Sequence, residues 1–246
     1  MTLNKKNHYK KQKQYFKREF LSMKQYSLAS WQKSYIERIK KDLLGKNYKG
    51  KTLLDIATGS GYVAVEMAKL GMHVIACDLS KQSIENLHVY KKELKLKNLE
   101  IIACYAEKIP LKDKSIDYIV ANAILEHIPA EDDAITEWKR LLKKNGRMFI
   151  TVPLKYRYIY PFLWLINYIH DKRIGHLRRY DKETLEKRFK LSGKKVYYSG
   201  HLIKVFGIIV SLISKNSKYD TFFENQDKKE EKICYGANNI SIIFSP

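Results

Sequence analysis

The sequence predicts an α/β protein built on an open, doubly wound and mostly parallel sheet. From residue 51 onward, short apolar runs alternate with segments of helical period. A glycine turn, "ATGSG", separates the first run from its helix, and an aspartate closes the second run. Two more runs stand near the C-terminus, after the alternation has ended. Strands joined through helices pair in parallel by right-handed crossovers, and a closing pair of strands adds antiparallel at an edge.

The elements follow in order. Trp31, Tyr35, Ile39 and Leu43 recur about four apart, which predicts a helix over 26–44. "KTLLDIA" reads as a buried strand and "GYVAVEMAKLG" as a helix stopped by Gly71. "MHVIACD" is the second strand. Residues 81–97 form the next helix, with Ser80 as N-cap and apolar positions at Ile84, Leu87, Leu94 and Leu96. "LEIIACY", "SIDYIVANA" and "GRMFITVP" continue the sheet, with Ile135, Trp138 and Leu142 marking a helix between the last two. A helix capped by Asp181 and ended by Gly193 follows, then the strand "KKVYYSG", an apolar helix "HLIKVFGIIVSLI", a polar loop over 215–235 and the strand "NNISIIFSP". The count is seven strands, the last pair forming an antiparallel hairpin at the sheet edge.

The organisation expected is a basic N-terminal arm over 1–50, loose or partly helical at its start, and a domain over 51–246. Substrate-facing insertions fall at about 154–180 and 201–235. The formal net charge of +21 is concentrated accordingly: residues 1–51 hold 15 Lys/Arg against 3 Asp/Glu, residues 52–152 hold 14 of each, and residues 153–206 hold 13 against 4. Excess placed in an arm and one insertion points to an anionic partner, with lipid head groups, nucleic acid and phosphorylated small molecules as the classes. Cys77, Cys104 and Cys234 have no paired spacing, which argues against a disulfide framework or a zinc site and for a reducing, cytoplasmic compartment. The basic N-terminus lacks the apolar stretch of a signal peptide, and no apolar run reaches the ~18 residues needed to span a bilayer.

The glycine turn narrows the chemistry. Glycines let a ligand approach the backbone because no Cβ intervenes. In a dinucleotide fingerprint the third glycine would fall at Ala64, where alanine is tolerated, so that ligand is not excluded. Asp55, just before the turn, is unhelpful beside a pyrophosphate but useful beside a cationic α-amino group. Asp78 closes the second strand, placed to accept two ribose hydroxyls. One acid for an ammonium, glycines for close approach and one acid for a ribose together suit S-adenosylmethionine.

With these residues the chain resembles the class I S-adenosylmethionine-dependent methyltransferases. "LLDIATGSG" is similar to that family's first motif and "VIACDLS" to its second. "AEKIPLKDKSIDYIVANAILEHI" resembles the block from the adenine loop through the fourth strand, and "WKRLLKKNGRMFITVP" the following helix and fifth strand. The resemblance covers roughly 27–200 and is nearest to the group that includes quinone-biosynthesis and many small-molecule and glycan methyltransferases. It implies a Rossmann-like fold with an antiparallel last strand. It also implies that Asp55 and the backbone at Ala57, Gly59 and Gly61 meet the methionine end, that Asp78 binds the ribose with Leu79 against the adenine, that Ala106 and Glu107 line the adenine, and that Asn122 sits below the sulfonium. Two positions depart from the family pattern: Ala57 replaces a glycine, and Tyr105 stands where an aspartate usually accepts from the adenine amino group.

Methyl transfer from a sulfonium is an in-line displacement whose leaving group needs no acid, and alignment of the acceptor supplies most of the acceleration. A protonated acceptor needs a base, and His127 in "LEHIP" and His176 in "GHLRRY" are the candidates. A metal site is not expected, because adjacent Glu126 and His127 point different ways. Arg178 and Arg179, with Tyr180 beside them, could grip a carboxylate or phosphate of the substrate. Two apolar stretches, "YIYPFLWLI" and "LIKVFGIIVSLI", together with the basic arm would suit an anionic membrane surface, the enzyme lying peripherally on its inner face; they could equally be core or lid helices. The leading expectation is therefore methyl transfer to an apolar, lipid-linked or glycan-type small molecule. An RNA methyltransferase is the alternative, set against the absence of Asn-Pro-Pro-Tyr and Pro-Cys motifs and of an appended RNA-binding module. A non-catalytic binding protein with the same fold is the third reading.

Overall fold

A computed structural model describes residues 3–21, 25–204, 206–207, 210 and 217–245. One seven-stranded sheet organises them, in the order β3-β2-β1-β4-β5-β7-β6. Its strands are β1 (Thr52–Ile56), β2 (His73–Asp78), β3 (Leu99–Ala103), β4 (Ile116–Asn122), β5 (Leu142–Pro153), β6 (Gly193–Ser199) and β7 (Asn239–Phe244). The first five pair in parallel, and β7 runs antiparallel to both β5 and β6. The closing strands are therefore an antiparallel pair at the sheet edge, as expected, with β7 next to β5 and β6 at the rim.

Helices cover both faces because the sheet is apolar on both. On one face α5 (Glu131–Leu141) and α7 (Lys182–Phe189) bring Trp138, Leu141, Leu185 and Phe189 onto Ile119, Ile150 and Ile242. On the other, α2 (Ser30–Arg38), its π-helical continuation Ile39–Leu44, α3 (Tyr62–Lys69) and α4 (Lys81–Glu93) contribute Tyr35, Ile39, Leu43, Met67 and Leu87. Side chains as large as Trp138 and Phe149 are fully enclosed. Burial of this kind contributes roughly 1.5–3 kcal/mol per large apolar side chain.

The N-terminal arm is helical, as expected, and regular from Leu3, with α1 (Leu3–Leu21) packed on the domain. Its lysines conceal a sparse buried face of Tyr9, Gln12 and Phe20, while Lys6, Lys10, Lys11, Lys17 and Arg18 face outward. The aromatic stretch after β5 holds a helix, α6 (Trp164–Ile174), that begins within "YIYPFLWLI" and is ended by Gly175 in the left-handed region at φ 78°. Part of the polar segment expected as a loop is α8 (Ser217–Lys229), packed against α2. Its helical period was masked by charge. Much of the apolar stretch 201–213 lies outside the described residues.

Candidate active site

Chain direction reverses between β1 and β4: the chain winds from β1 out to β3 and returns to β4. Open α/β sheets bind ligands at such a point, in the crevice beyond the carboxyl ends of the strands. A cavity of about 290 Å³ opens there. Asp55, Gly59, Asp78 and Asn122 line its floor, Tyr105 and Glu107 one side, and Tyr9, Phe16 and Phe20 of α1 its roof.

The floor is made by turns that need their particular residues. Gly59 and Gly61 have φ of 55° and 78°, the left-handed region where a side chain is strained. A Cβ on Gly61 would also come within 2.5 Å of Leu87 Cδ2. Gly61 therefore serves packing of α3 on α4, whereas Gly59 faces the cavity. Ala57 adopts φ 53° as well, so the residue replacing the family's glycine keeps the glycine-type backbone.

Asp55 is buried, and its Oδ2 accepts from Thr58 Oγ1 at 2.6 Å and from the Ala64 amide at 3.1 Å. Burial raises its pKa to about 7 against those two bonds. The Asp78 carboxylate accepts from the Gly59 amide through Oδ2 and from the Ser80 amide through Oδ1, each at 2.8 Å. Burial pushes it upward too, with the backbone bonds opposing. Asn122 at the end of β4 donates through Nδ2 to Tyr62 Oη at 2.6 Å.

The roof is fastened at several points. Tyr9 Oη donates to Glu107, which also pairs with Lys5 at 3.1 Å. Gln12 Nε2 donates to the Ile174 carbonyl at 2.8 Å, His8 Nε2 lies 2.8 Å from the His127 carbonyl, and Asn86 Nδ2 donates to the Phe20 carbonyl at 3.0 Å. The Phe20 ring then sits over Gly59, 3.2 Å from the place a Cβ would take.

At the far end His127 lines the cavity from a short 3₁₀ turn, Leu125–His127. Its ring meets His176 edge-on, centroids 4.7 Å apart. Behind it, His176 Nδ1 lies 2.8 Å from Asp171 Oδ1, and Arg179 and the Tyr156 hydroxyl bond the same carboxylate. Burial would raise Asp171, but bonds from His176, Arg179 and Tyr156 hold it well below the usual carboxylate range. Glu126 is fully enclosed, its Oε1 3.6 Å from His176 Nε2. Burial raises Glu126 to about 8 and lowers His127 to about 3, the latter with His176 adding to the effect.

A model of the methyltransferase domain family matches residues 47–226, most of the chain. The chain belongs to that family. Its fold and motif order make it a class I S-adenosylmethionine-dependent methyltransferase. The ubiquinone biosynthesis O-methyltransferase of Pelagibacter ubique (strain HTCC1062) is 42% identical over 106 residues, 43% of this chain and 43% of that protein. The demethylmenaquinone methyltransferase of Chlorobaculum tepidum is 31% identical over 125 residues, 50% of this chain and 49% of that one. The alignments thus span about half the length of these curated relatives, or less. Among solved structures, geranyl diphosphate C-methyltransferase from Streptomyces coelicolor A3(2), in complex with Mg2+, geranyl diphosphate and S-adenosyl-L-homocysteine, has a TM-score of 0.64 at 16% identity, covering 87% of this chain and 78% of that chain. That likeness is one of fold.

Most residues expected at the methyltransferase site meet at one cavity: Asp55, Ala57, Gly59, Asp78, Leu79, Ala106, Glu107, Asn122 and His127 all line it. Donors and acceptors there suit the cofactor. Asp78 has one backbone bond on each oxygen, which leaves acceptor capacity for ribose hydroxyls. Gly59 lines the cavity with no side chain, its backbone lying beneath the Phe20 ring. Glu107 is bonded instead to Lys5 and Tyr9 of α1, so in this conformation it fastens the roof. His176 stands behind His127. The arginine motif is placed differently from expectation: Arg178 pairs with Glu131 at 2.7 Å and donates to the Ile128 carbonyl, and Arg179 is tied to Asp171. Tyr180 is buried and donates to Glu131 Oε2 at 2.9 Å. None of these three lines the cavity; Arg178 and Tyr180 tie the 154–180 insertion to the β4–α5 connection, and Arg179 braces the insertion internally through Leu154, Asn167 and Asp171. The α1 residues in the roof were not legible in advance, although Phe16 and Phe20 stand one helical turn apart amid the lysines.

Proposed function

We propose that this methyltransferase transfers the methyl group of S-adenosylmethionine to a hydroxyl of an apolar, lipid-borne small molecule at an anionic membrane surface. The observation that carries the reading is the single cavity in which Asp78 and the glycine turn lie under an aromatic roof, with His127 at its far end. Asp78 would hold the ribose, Leu79 and Ala106 the adenine, and Asp55 with the turn around Gly59 the methionine end; Asn122, fixed by Tyr62, would lie beneath the sulfonium. Bound there, S-adenosylmethionine supplies an electrophilic methyl group. The protein's part is to seat the acceptor in line, keep water out beneath Tyr9, Phe16 and Phe20, and polarise or deprotonate the acceptor hydroxyl at the His127–His176 end. The relatives' names supply the acceptor class, a quinone precursor or a compound like it.

Support for a membrane surface comes from the outside of the same region. No helix among the described residues is long and apolar enough to cross a membrane. Phe162, Leu165, Ile166, Tyr168 and Ile169, at and just before α6, are nevertheless more than half exposed, and Lys6, Lys10, Lys11 and Lys17 of α1 face outward. Exposed apolar and basic surface of this kind suits an interface of anionic lipid. The decisive experiment is transfer of labelled methyl from S-adenosylmethionine to separate lipid, RNA and water-soluble extracts. Label in the lipid fraction is the expected result; label confined to RNA would overturn it in favour of the alternative.

A further inference from the structure

We propose that Glu126, His127 and His176 form a binding site for one divalent transition-metal ion, of the zinc or cobalt type, at the end of the acceptor cavity. One potential donor atom from each residue falls within 4.8 Å of the others. Glu126 and His127 are adjacent in the short 3₁₀ turn, and His176, delivered by the insertion after β5, stands against both. The 3.6 Å between Glu126 Oε1 and His176 Nε2 is roughly the separation of two donors that each lie ~2.1 Å from one ion.

Apart from the ion-pair approach of Glu126 and His176, three polar atoms of this cluster lack partners among the described residues. Both carboxylate oxygens of Glu126 and Nδ1 of His127 are buried with no hydrogen-bond partner among the described residues. Buried polar atoms are nearly always satisfied, so each exception asks for a missing group. Protonating Glu126 does not resolve it, since the new O–H would have His176 Nε2 only at 3.6 Å, beyond hydrogen-bond length. An ion accepts lone pairs from all three residues at once. His127 Nδ1, without a partner, is left for coordination.

The surroundings of His176 fit the same assignment. Its Nδ1 is bonded to Asp171, and Asp171 is held by Arg179 and Tyr156. A carboxylate on the far nitrogen of an imidazole fixes its tautomer and turns Nε2 outward as a ligand, the usual support for a metal-bound histidine. Two imidazoles and one carboxylate select a transition-metal ion over magnesium or calcium and leave coordination positions open. On the methyl-transfer reading, on which this use of the ion rests, an acceptor hydroxyl entering past His127 would bind the ion, which lowers its pKa so that its proton leaves to solvent water. Its oxygen would then take the methyl group as the sulfonium departs as a neutral thioether. The histidines then act through the ion instead of as Brønsted bases.

The test is a titration of the chelator-treated full-length protein with Co2+, followed by visible absorption, alongside calorimetry with Zn2+. The expected result is one ion per chain, with affinity at least tenfold weaker in Glu126→Gln and in His176→Gln. Glu126→Gln is isosteric and removes a buried charge, so it keeps the fold; unchanged S-adenosylmethionine affinity in each variant verifies that. No uptake by the wild type, equal uptake by both variants, or cobalt–thiolate bands pointing to Cys77 or Cys104 would each overturn the site. Cobalt binding without any S-adenosylmethionine binding would uphold the metal site while removing the methyl-transfer reading.

Discussion

The carboxylate of Asp78 receives the amide of Gly59 at 2.8 Å, so the acid that ends β2 clamps the turn that follows β1. The clamp shapes the floor of the cavity before any ligand arrives. Asp78→Asn keeps the side-chain volume but removes the charge. Hydrogen bonds to charged groups contribute about 1.5–3 kcal/mol, so the substitution should weaken S-adenosylmethionine binding roughly 10- to 100-fold. Calorimetry checks it, and unchanged affinity would remove the ribose assignment.

Gly61 has a different role, in packing. A side chain there meets both an unfavourable φ of 78° and Leu87 Cδ2 at 2.5 Å. Gly61→Ala should lower stability by about 1–3 kcal/mol, the usual cost of overpacking, with a matching drop in Tm. A variant as stable as the wild type would mean that α4 yields freely.

Asp55 predicts a pH effect. Its pKa rises from about 3.8 in the unfolded chain to about 7 in the folded protein. The folded state therefore binds a proton that the unfolded state has released, and stability falls as pH climbs through that window, levelling off above it. Asp55→Asn carries no such penalty. The Tm difference between variant and wild type, without cofactor, should shift in the variant's favour from pH 5 to pH 8. A difference independent of pH would show that Asp55 is ionised in the folded protein throughout.

The roof should govern exchange of the cofactor. Phe20 lies over Gly59, and Tyr9 fastens the helix to Glu107. Tyr9→Phe combined with Phe20→Ala should release S-adenosylhomocysteine several-fold faster in stopped-flow measurements and expose α1 to limited proteolysis. Release at the wild-type rate would mean that α1 does not cover the ligand.

At the surface, Lys10, Lys11 and Lys17 are each expected to contribute about 1 kcal/mol to binding an anionic leaflet. Reversing all three to glutamate should abolish co-sedimentation with phosphatidylglycerol vesicles. Leu165→Ser with Ile169→Ser should weaken it even at low salt. Retention by both variants would argue against this face as the contact.

Local rules made much of the site legible in the sequence. The turn between β1 and α3 requires residues that tolerate positive φ, and strand ends after a parallel crossover must point into one crevice. Asp55, Gly59 and Asp78 could therefore be singled out from the turn and the strand ends, Asn122 from the family resemblance, and the succession of strands and helices from the alternation of periods. What the tertiary structure decided depends on contacts between segments far apart in the chain. Arg178 and Arg179 look like a substrate clamp in sequence, yet buried Glu131 and Asp171 claim them. Glu126 and His127 look divergent in sequence, yet with His176, 49 positions on, each offers a donor atom within 4.8 Å of the others. The lysines of α1 hid an aromatic face whose purpose appears only where it meets the glycine turn. Backbone conformation is written locally, whereas the partner of a charged or aromatic side chain is set by which distant segment folds against it.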